Sequence, residues 1–170
     1  FHHRQDDPHS VCGNTISALV AGHMPGSVWV GSDDGRVCLW SPDHQRFIPF
    51  RLPADAESKG RVLDILPVSA DAVLVSVEKL GLYRIHTTSN SSMPVSATDR
   101  HLLDRIFELR LVDGDVYMGT LSAGLMRLRN GKSQHLSQIR SPFSVPGQTI
   151  ACIHQAGSNT LWMGAWDNGL

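Results

Sequence analysis

Two sets of anchor residues recur along this chain at a spacing of about 44 residues, and such a period restricts the chain to repeat architectures. The first set is Gly31, Ser76, Gly119 and Gly164, separated by 45, 43 and 45 residues. Each ends an apolar triplet: Val-Trp-Val, Val-Leu-Val, Val-Tyr-Met and Leu-Trp-Met. The second set lies upstream and comprises Ile16, Val62, Ile106 and Ile150, separated by 46, 44 and 44 residues. Three residues after each comes another apolar residue: Leu19, Ile65, Leu109 and Ile153. Two independent anchor sets that keep one period through four copies define a structural repeat.

Within each copy the elements read as strands. An inner strand follows Asn14-Thr-Ile, Gly60-Arg-Val, Asp104-Arg-Ile or Gln148-Thr-Ile. A turn leads to the triplet strand, and Asp113-Gly114 suits a tight hairpin because both residues tolerate positive φ. The third strand is GRVCLW, GLYRI or GLMRL, and a more ragged fourth follows as RFIPFRL, SMPVSA or SQHLSQI. No stretch keeps a 3.6-residue apolar period over three turns. The nearest is ATDRHLLDRIF, and the repeat register assigns its end to a strand. Four short strands in every ~44 residues is the arithmetic of a β-propeller blade. The expected fold is therefore all-β, a partial β-propeller of four-stranded antiparallel blades. Residues 1–13 read as the end of a preceding blade and a junction. Residues 14–60, 61–104 and 105–148 read as blades, and 149–170 as the first half of another.

The pattern apolar-Trp-apolar-Gly-(Ser/Thr)-x-x-Gly-Gly-Leu, downstream of Asn-x-apolar, resembles the two-component-regulator propeller repeat. It is carried by Asn14 and Ile16, by Val28 to Ser32 with Gly35, by Tyr117 to Thr120 with Gly124 and Leu125, and by Trp162 to Gly164 with Gly169 and Leu170. Arg36 replaces the second glycine, Ser76 replaces the first glycine of the second unit, and that unit lacks the aromatic. The resemblance implies the extracytoplasmic, periplasmic sensor module of a bacterial hybrid histidine kinase or diguanylate cyclase. Such a module is non-catalytic, with kinase or cyclase chemistry in a separate domain. Family propellers are typically seven-bladed, so the resemblance implies about half a ring. The chain is then completed by the remaining blades of a parent propeller or by a second copy.

Charge and composition remove several classes of function. Fifteen Lys and Arg against sixteen Asp and Glu give a net charge of −1, which leaves no electrostatic case for nucleic acid. No apolar run reaches the length of a membrane span, so membrane contact is expected only through a parent chain. Cys12, Cys38 and Cys152 form no CxxC pair and read as free or buried thiols. The nine histidines form no HxH or HExxH, so no metal and no cofactor are expected. His2, His3 and His9 read as part of a mobile polar terminus. Gly31-Ser-Asp-Asp-Gly35 is followed by a strand and reads as a turn, because a phosphate cradle needs a following helix. Its glycines are assigned to backbone geometry. Ser32, Ser76 and Thr120 end strands and do not form a nucleophile elbow.

The loops into the inner strands and the turns between second and third strands are expected to open on one face. The first group places Asn14, Arg61, Arg105 and Gln148 near the axis. The second places Asp33 and Asp34, Glu78 and Lys79, Leu121 and Ser122, and Trp166 and Asp167 around the rim. Side chains that differ at equivalent loop sites over a constant scaffold point to a tuned recognition surface. A small molecule, a glycan or a protein partner would bind there. Trp29, Trp40 and Trp162 read as packing residues, whereas Trp166 in a turn is placed to stack on a sugar or contact a partner. Two alternatives remain open. One is a propeller lyase or hydrolase with an axial acid–base pair, for which only Asp104 adjoins the axial positions. The other is a protein-binding scaffold of the WD-repeat kind, which Trp166-Asp167 does not match because it lies in a turn.

Overall fold

The structure is a computed structural model that describes residues 1–53, 60–95, 105–136, 149–157 and 160–166. Every regular element among these residues is a strand. The first unit comprises β1 (Ile16–Ala21), β2 (Val28–Ser32), β3 (Val37–Ser41) and β4 (Arg46–Phe50). The second comprises β5 (Val62–Ser69), β6 (Ala72–Val77), β7 (Gly81–His86) and β8 (Ser91–Pro94). The third comprises β9 (Ile106–Val112), β10 (Asp115–Thr120), β11 (Leu125–Arg129) and β12 (Lys132–His135). β13 (Ile150–Ala156) and β14 (Thr160–Ala165) form a two-stranded sheet. Each sheet is an antiparallel meander in chain order.

Local chemistry sets the hairpins. Asp113 and Gly114 take φ of 51° and 84° between β9 and β10, as their residue types allow. Asn130 and Gly131, at 51° and 74°, do the same between β11 and β12. Every inner strand carries the same irregularity, one residue inside its first anchor. The register shifts at Ser17, Leu63, Phe107 and Ala151. A bulge at a fixed repeat position bends each inner strand alike and re-aims the extra side chain.

The sheets stack face to face, and the strand alternation supplies a distinct apolar set to each face. Trp29, Val37 and Phe50 of the first sheet pack with Val62, Ile65, Val73 and Val75 of the second. Leu74 and Leu82 of the second pack with Ile106, Leu109, Val116 and Met118 of the third. Leu125 of the third packs with Ile150 and Ile153 of the fourth. The anchors found in the sequence are therefore residues of contacts between units. Full burial of one such side chain contributes about 1.5–3 kcal/mol.

The two glycines of the Gly31–Gly35 turn have different reasons to be glycine. Gly35 takes φ of 85°. Gly31 does not have a positive φ. A Cβ there would lie 2.4 Å from Val62 Cγ1 of the next sheet. Gly119 repeats this arrangement, with a Cβ position 2.7 Å from Ile150 O. The backbone-geometry explanation thus holds for Gly35, and close approach of the neighbouring unit explains Gly31. At Ser76 the small side chain turns the same approach into a hydrogen bond, its hydroxyl donating to Ile106 O.

The terminal segment expected to be mobile is instead folded against the first sheet. Val11 and Cys12 join Val30, Cys38 and Phe47 in an apolar cluster on its outer face. His3 Nδ1 lies 2.7 Å from Val11 O, and His9 Nδ1 lies 3.2 Å from Phe47 O. The Phe1 ring packs against Trp40, tilted by 49° with ring centres 4.9 Å apart. Cys12 and Cys38 are buried and Cys152 is exposed, all as free thiols.

Candidate functional site

One backbone hydrogen bond recurs in all four units and builds the face where a site could form. The first amide of each second-to-third-strand turn donates to the carbonyl just before the inner strand. The pairs are Asp33 to Thr15 (3.1 Å), Glu78 to Arg61 (2.8 Å), Leu121 to Arg105 (2.9 Å) and Trp166 to Thr149 (3.3 Å). Each bond ties a rim turn to an axial loop of the same unit. The two loop sets therefore do open on one face.

The repeat of this bond also corrects the alignment of the axial residues. Thr15, Arg61, Arg105 and Thr149 are equivalent, so Asn14 lies one residue out of register with the two arginines. Its side chain accepts a hydrogen bond from His3 N at 3.0 Å. Gln148 and Asp167, with Asp104, lie outside the described residues, as do Gly169 and Leu170.

The remaining candidates fall into three groups along the face. Asp34 is more than a solvated turn carboxylate: it accepts from the Ser32 hydroxyl and lies 3.4 Å from Arg36 Nε. Arg36 also reaches Cys12 O at 3.3 Å and His3 Nε2 at 3.1 Å. Because His3 Nδ1 faces a carbonyl and must donate, its Nε2 accepts from the guanidinium. Asp33 is exposed at the turn's edge. In the second group, Glu78 of the second unit forms a salt bridge with Arg105 of the third, across the contact between units. Lys79 projects from a residue with φ of 65°, exposed to solvent. Arg61 is exposed and makes no salt bridge among the described residues. The third group is aromatic. Trp166 lies 5.2 Å from Phe107, ring centre to ring centre, and is 67% exposed. Phe107 is the bulge residue of β9, so the bulge turns its ring toward this face. Trp166 thus has a packing partner on one side and an open surface on the other.

Two carboxylates on the inner strands complete the axial region. Asp64 and Glu108 occupy one repeat position in adjacent units, shared with Ala18 and Cys152. Asp64 accepts hydrogen bonds from Leu109 N (2.7 Å) of the next unit and from Ile65 N (2.8 Å). Burial pushes its carboxyl up to about 6; the two amides oppose this and the nearby Glu108 adds to it. Burial also raises Glu108, against the attraction of Arg110, its salt-bridge partner. Arg110 Nε donates to Ile153 O of the following unit at 2.9 Å. Sequence reading missed this pair because it examined the loops into the inner strands and not the strands themselves. Aligning the four inner strands would have shown two carboxylates at one position. Both oxygens of Asp64 accept from backbone amides, one of them in the following unit, so it ties one unit to the next.

The described residues contain no cluster of three or more His, Cys, Asp or Glu able to hold a metal ion. A hollow of about 840 Å³ lies over the outer face of the first sheet and is lined by Asn14, Ile16, Leu19, Val28 and Trp40.

No protein-family model and no curated protein sequence matches the chain. Solved structures do. The extracellular domain of the putative hybrid two-component system BT4673 from B. thetaiotaomicron superposes with a TM-score of 0.77 at 23% identity, over 99% of this chain and 22% of that one. The extracellular domain of the putative hybrid two-component system BT3049 from the same organism gives 0.58 at 13%, over 99% and 28%. The β-propeller domain of Myceliophteria thermophila Cps50 (Swd1) gives 0.64 at 13%, over 91% and 50%. The fold is a partial β-propeller. Its sheets are blades, and β1, β5, β9 and β13 are their inner strands. The chain spans about a fifth of the length of the BT4673 extracellular domain.

Proposed function

We propose that this chain is part of an extracytoplasmic sensor propeller of the two-component-regulator type, serving bacterial signal transduction. The supporting observation is its likeness, over nearly its whole length, to the extracellular domains of two hybrid two-component systems. The quoted repeat residues agree with that reading. The propeller itself does no chemistry in this account, and a separate domain of the parent protein carries the output.

Recognition takes place on the loop face. There the backbone bonds are the same in each blade while the side chains differ: carboxylates at Asp33 and Asp34, cations at Arg61 and Lys79, an aromatic platform at Trp166. An exposed tryptophan next to charged hydrogen-bonding groups suits a sugar, whose apolar ring face stacks while its hydroxyls are bonded. A glycan is therefore the favoured ligand class. Signalling would require the ligand to bind two arrangements of the parent protein with different affinity. A thermal-shift screen against oligosaccharides tests the reading. A saturable rise in Tm with one glycan class, lost in Trp166→Ala and weakened in Arg61→Ala, is expected. Glycans that shift the wild type and Trp166→Ala equally would refute the assignment of the site.

A further inference from the structure

Two of the three cysteines meet on the outer face of the first sheet. Cys38 lies in β3, paired across the ladder with Val30 of β2. Cys12 belongs to the segment ahead of β1 and lies over that pair. Its amide donates to Cys38 Sγ at 3.2 Å, and its thiol donates to Val30 O at 3.5 Å. Cys12 and Cys38 are 7% and 0% exposed and share one apolar cluster with Val11, Val30 and Phe47. The third cysteine, Cys152, is exposed in β13.

The segment is held in this position from several sides. A Cβ at Gly13 would lie 2.7 Å from Ser32 Cβ, so glycine lets the backbone come this close to the sheet. Arg36 donates to Cys12 O at 3.3 Å. Contact with the Cys38 thiol, together with burial, pushes the Cys12 thiol far above its ordinary range. That thiol therefore stays protonated in the folded chain, whereas the attacking species in disulfide chemistry is the thiolate. Oxidation accordingly belongs to folding, before the segment docks.

We propose that Cys12 and Cys38 form a disulfide as the chain folds in an oxidising compartment, stapling the segment ahead of β1 to the first sheet. A disulfide requires neighbouring Cβ atoms about 3.5–4.5 Å apart. Because Cys38 Sγ already lies within hydrogen-bond distance of the Cys12 amide, side-chain rotation brings the two sulfurs together. The oxidant is itself a disulfide, of a small molecule or of an exchange enzyme. The thiolate of one cysteine attacks it, forming a mixed disulfide and releasing one thiol. The second cysteine attacks the mixed disulfide and releases the other. The pair thus loses two protons and two electrons, and the oxidant becomes two thiols. Compartments outside the bacterial cytoplasm permit this exchange. The compartment rests on the sensor reading, whereas the pairing rests on geometry alone.

Refolding of the reduced 170-residue chain carrying Cys152→Ser, in a mixture of oxidised and reduced glutathione, tests the pairing. Wild type, read by peptide mapping, replaces the variant should it misfold. Thiol titration in denaturant should find no free thiol in the variant, and the intact mass should fall by two hydrogens. Digestion should release Cys12 and Cys38 in one linked pair of peptides. The bond joins residues 26 apart in sequence, and it should raise Tm by roughly 5–10 °C over the same protein reduced with dithiothreitol. A failed sensor reading would show in the glycan screen and leave these results unchanged. Two free thiols, or glutathione left on either cysteine in place of the link, would overturn the proposal. So would a linked form whose Tm is no higher than that of the reduced one.

Discussion

Asp64 makes a prediction whose sign runs against the usual behaviour of carboxylates. Its carboxyl is raised from 3.8 to about 6, with burial the largest cause. The folded chain therefore keeps a proton between pH 4 and 6 that the unfolded chain has already released. Over that window, raising the pH weakens the folded state. A change from 3.8 to about 6 corresponds to about 3 kcal/mol, fully felt by pH 7. The perturbation is Asp64→Asn, which removes the titration. One amide oxygen can still accept from Leu109 N or Ile65 N, while the amino group faces the other amide. The variant's absolute stability is thus set by two opposing effects, but its pH dependence is not. Urea unfolding of both proteins from pH 4 to 7.5 is the assay. Relative to Asp64→Asn, wild type should lose about 2–3 kcal/mol as the pH rises through this window. That is roughly 5–10 °C in Tm for a chain of this size. A difference that stays flat, or one in which wild type gains, would refute burial as the cause of the shift.

Other consequences of the blade stack can be checked by mutation. Gly31→Ala should destabilise by about 1–3 kcal/mol through overpacking, and Val62→Ala in the same chain should recover part of the loss, as a double-mutant cycle would show. Gly114→Ala meets nothing within 4 Å at φ of 84°, so its cost should be only the backbone penalty, about 1 kcal/mol, and no partner mutation should relieve it. Ser76→Ala removes the bond to Ile106 O and should cost about 1 kcal/mol in urea unfolding. Arg105→Ala leaves Glu78 without its partner across two blades; because both side chains are partly exposed, a loss under about 1 kcal/mol that shrinks with added salt is expected.

The fold was legible in the sequence because the anchors report contacts between blades. Ile16, Val62, Ile106 and Ile150 recur because the same knob must meet the same notch, so the physical contact leaves a period in the sequence. The third-strand glycines and the Asp113-Gly114 hairpin were readable for the same local reasons. The site was less legible. Phe107 reads as one apolar residue among several in DRIFELRL, and only the bulge shows that its ring turns toward Trp166. Asp64 lies between apolar anchors, and its role depends on an amide of the following blade, 45 residues away. The anchors Ile16 and Val62 already set Thr15, and not Asn14, opposite Arg61, and the turn-to-loop bonds show the same register.

The central claim is that four units share one blade geometry, held on the loop face by one repeated bond. Amide hydrogen exchange at the turns tests it most directly. The amides of Asp33, Glu78, Leu121 and Trp166 sit in turns at the protein surface yet donate to Thr15, Arg61, Arg105 and Thr149. They should all be protected, while the next amides in the first two turns, those of Asp34 and Lys79, exchange rapidly. Fast exchange at two or more of the four donors would contradict the shared blade geometry.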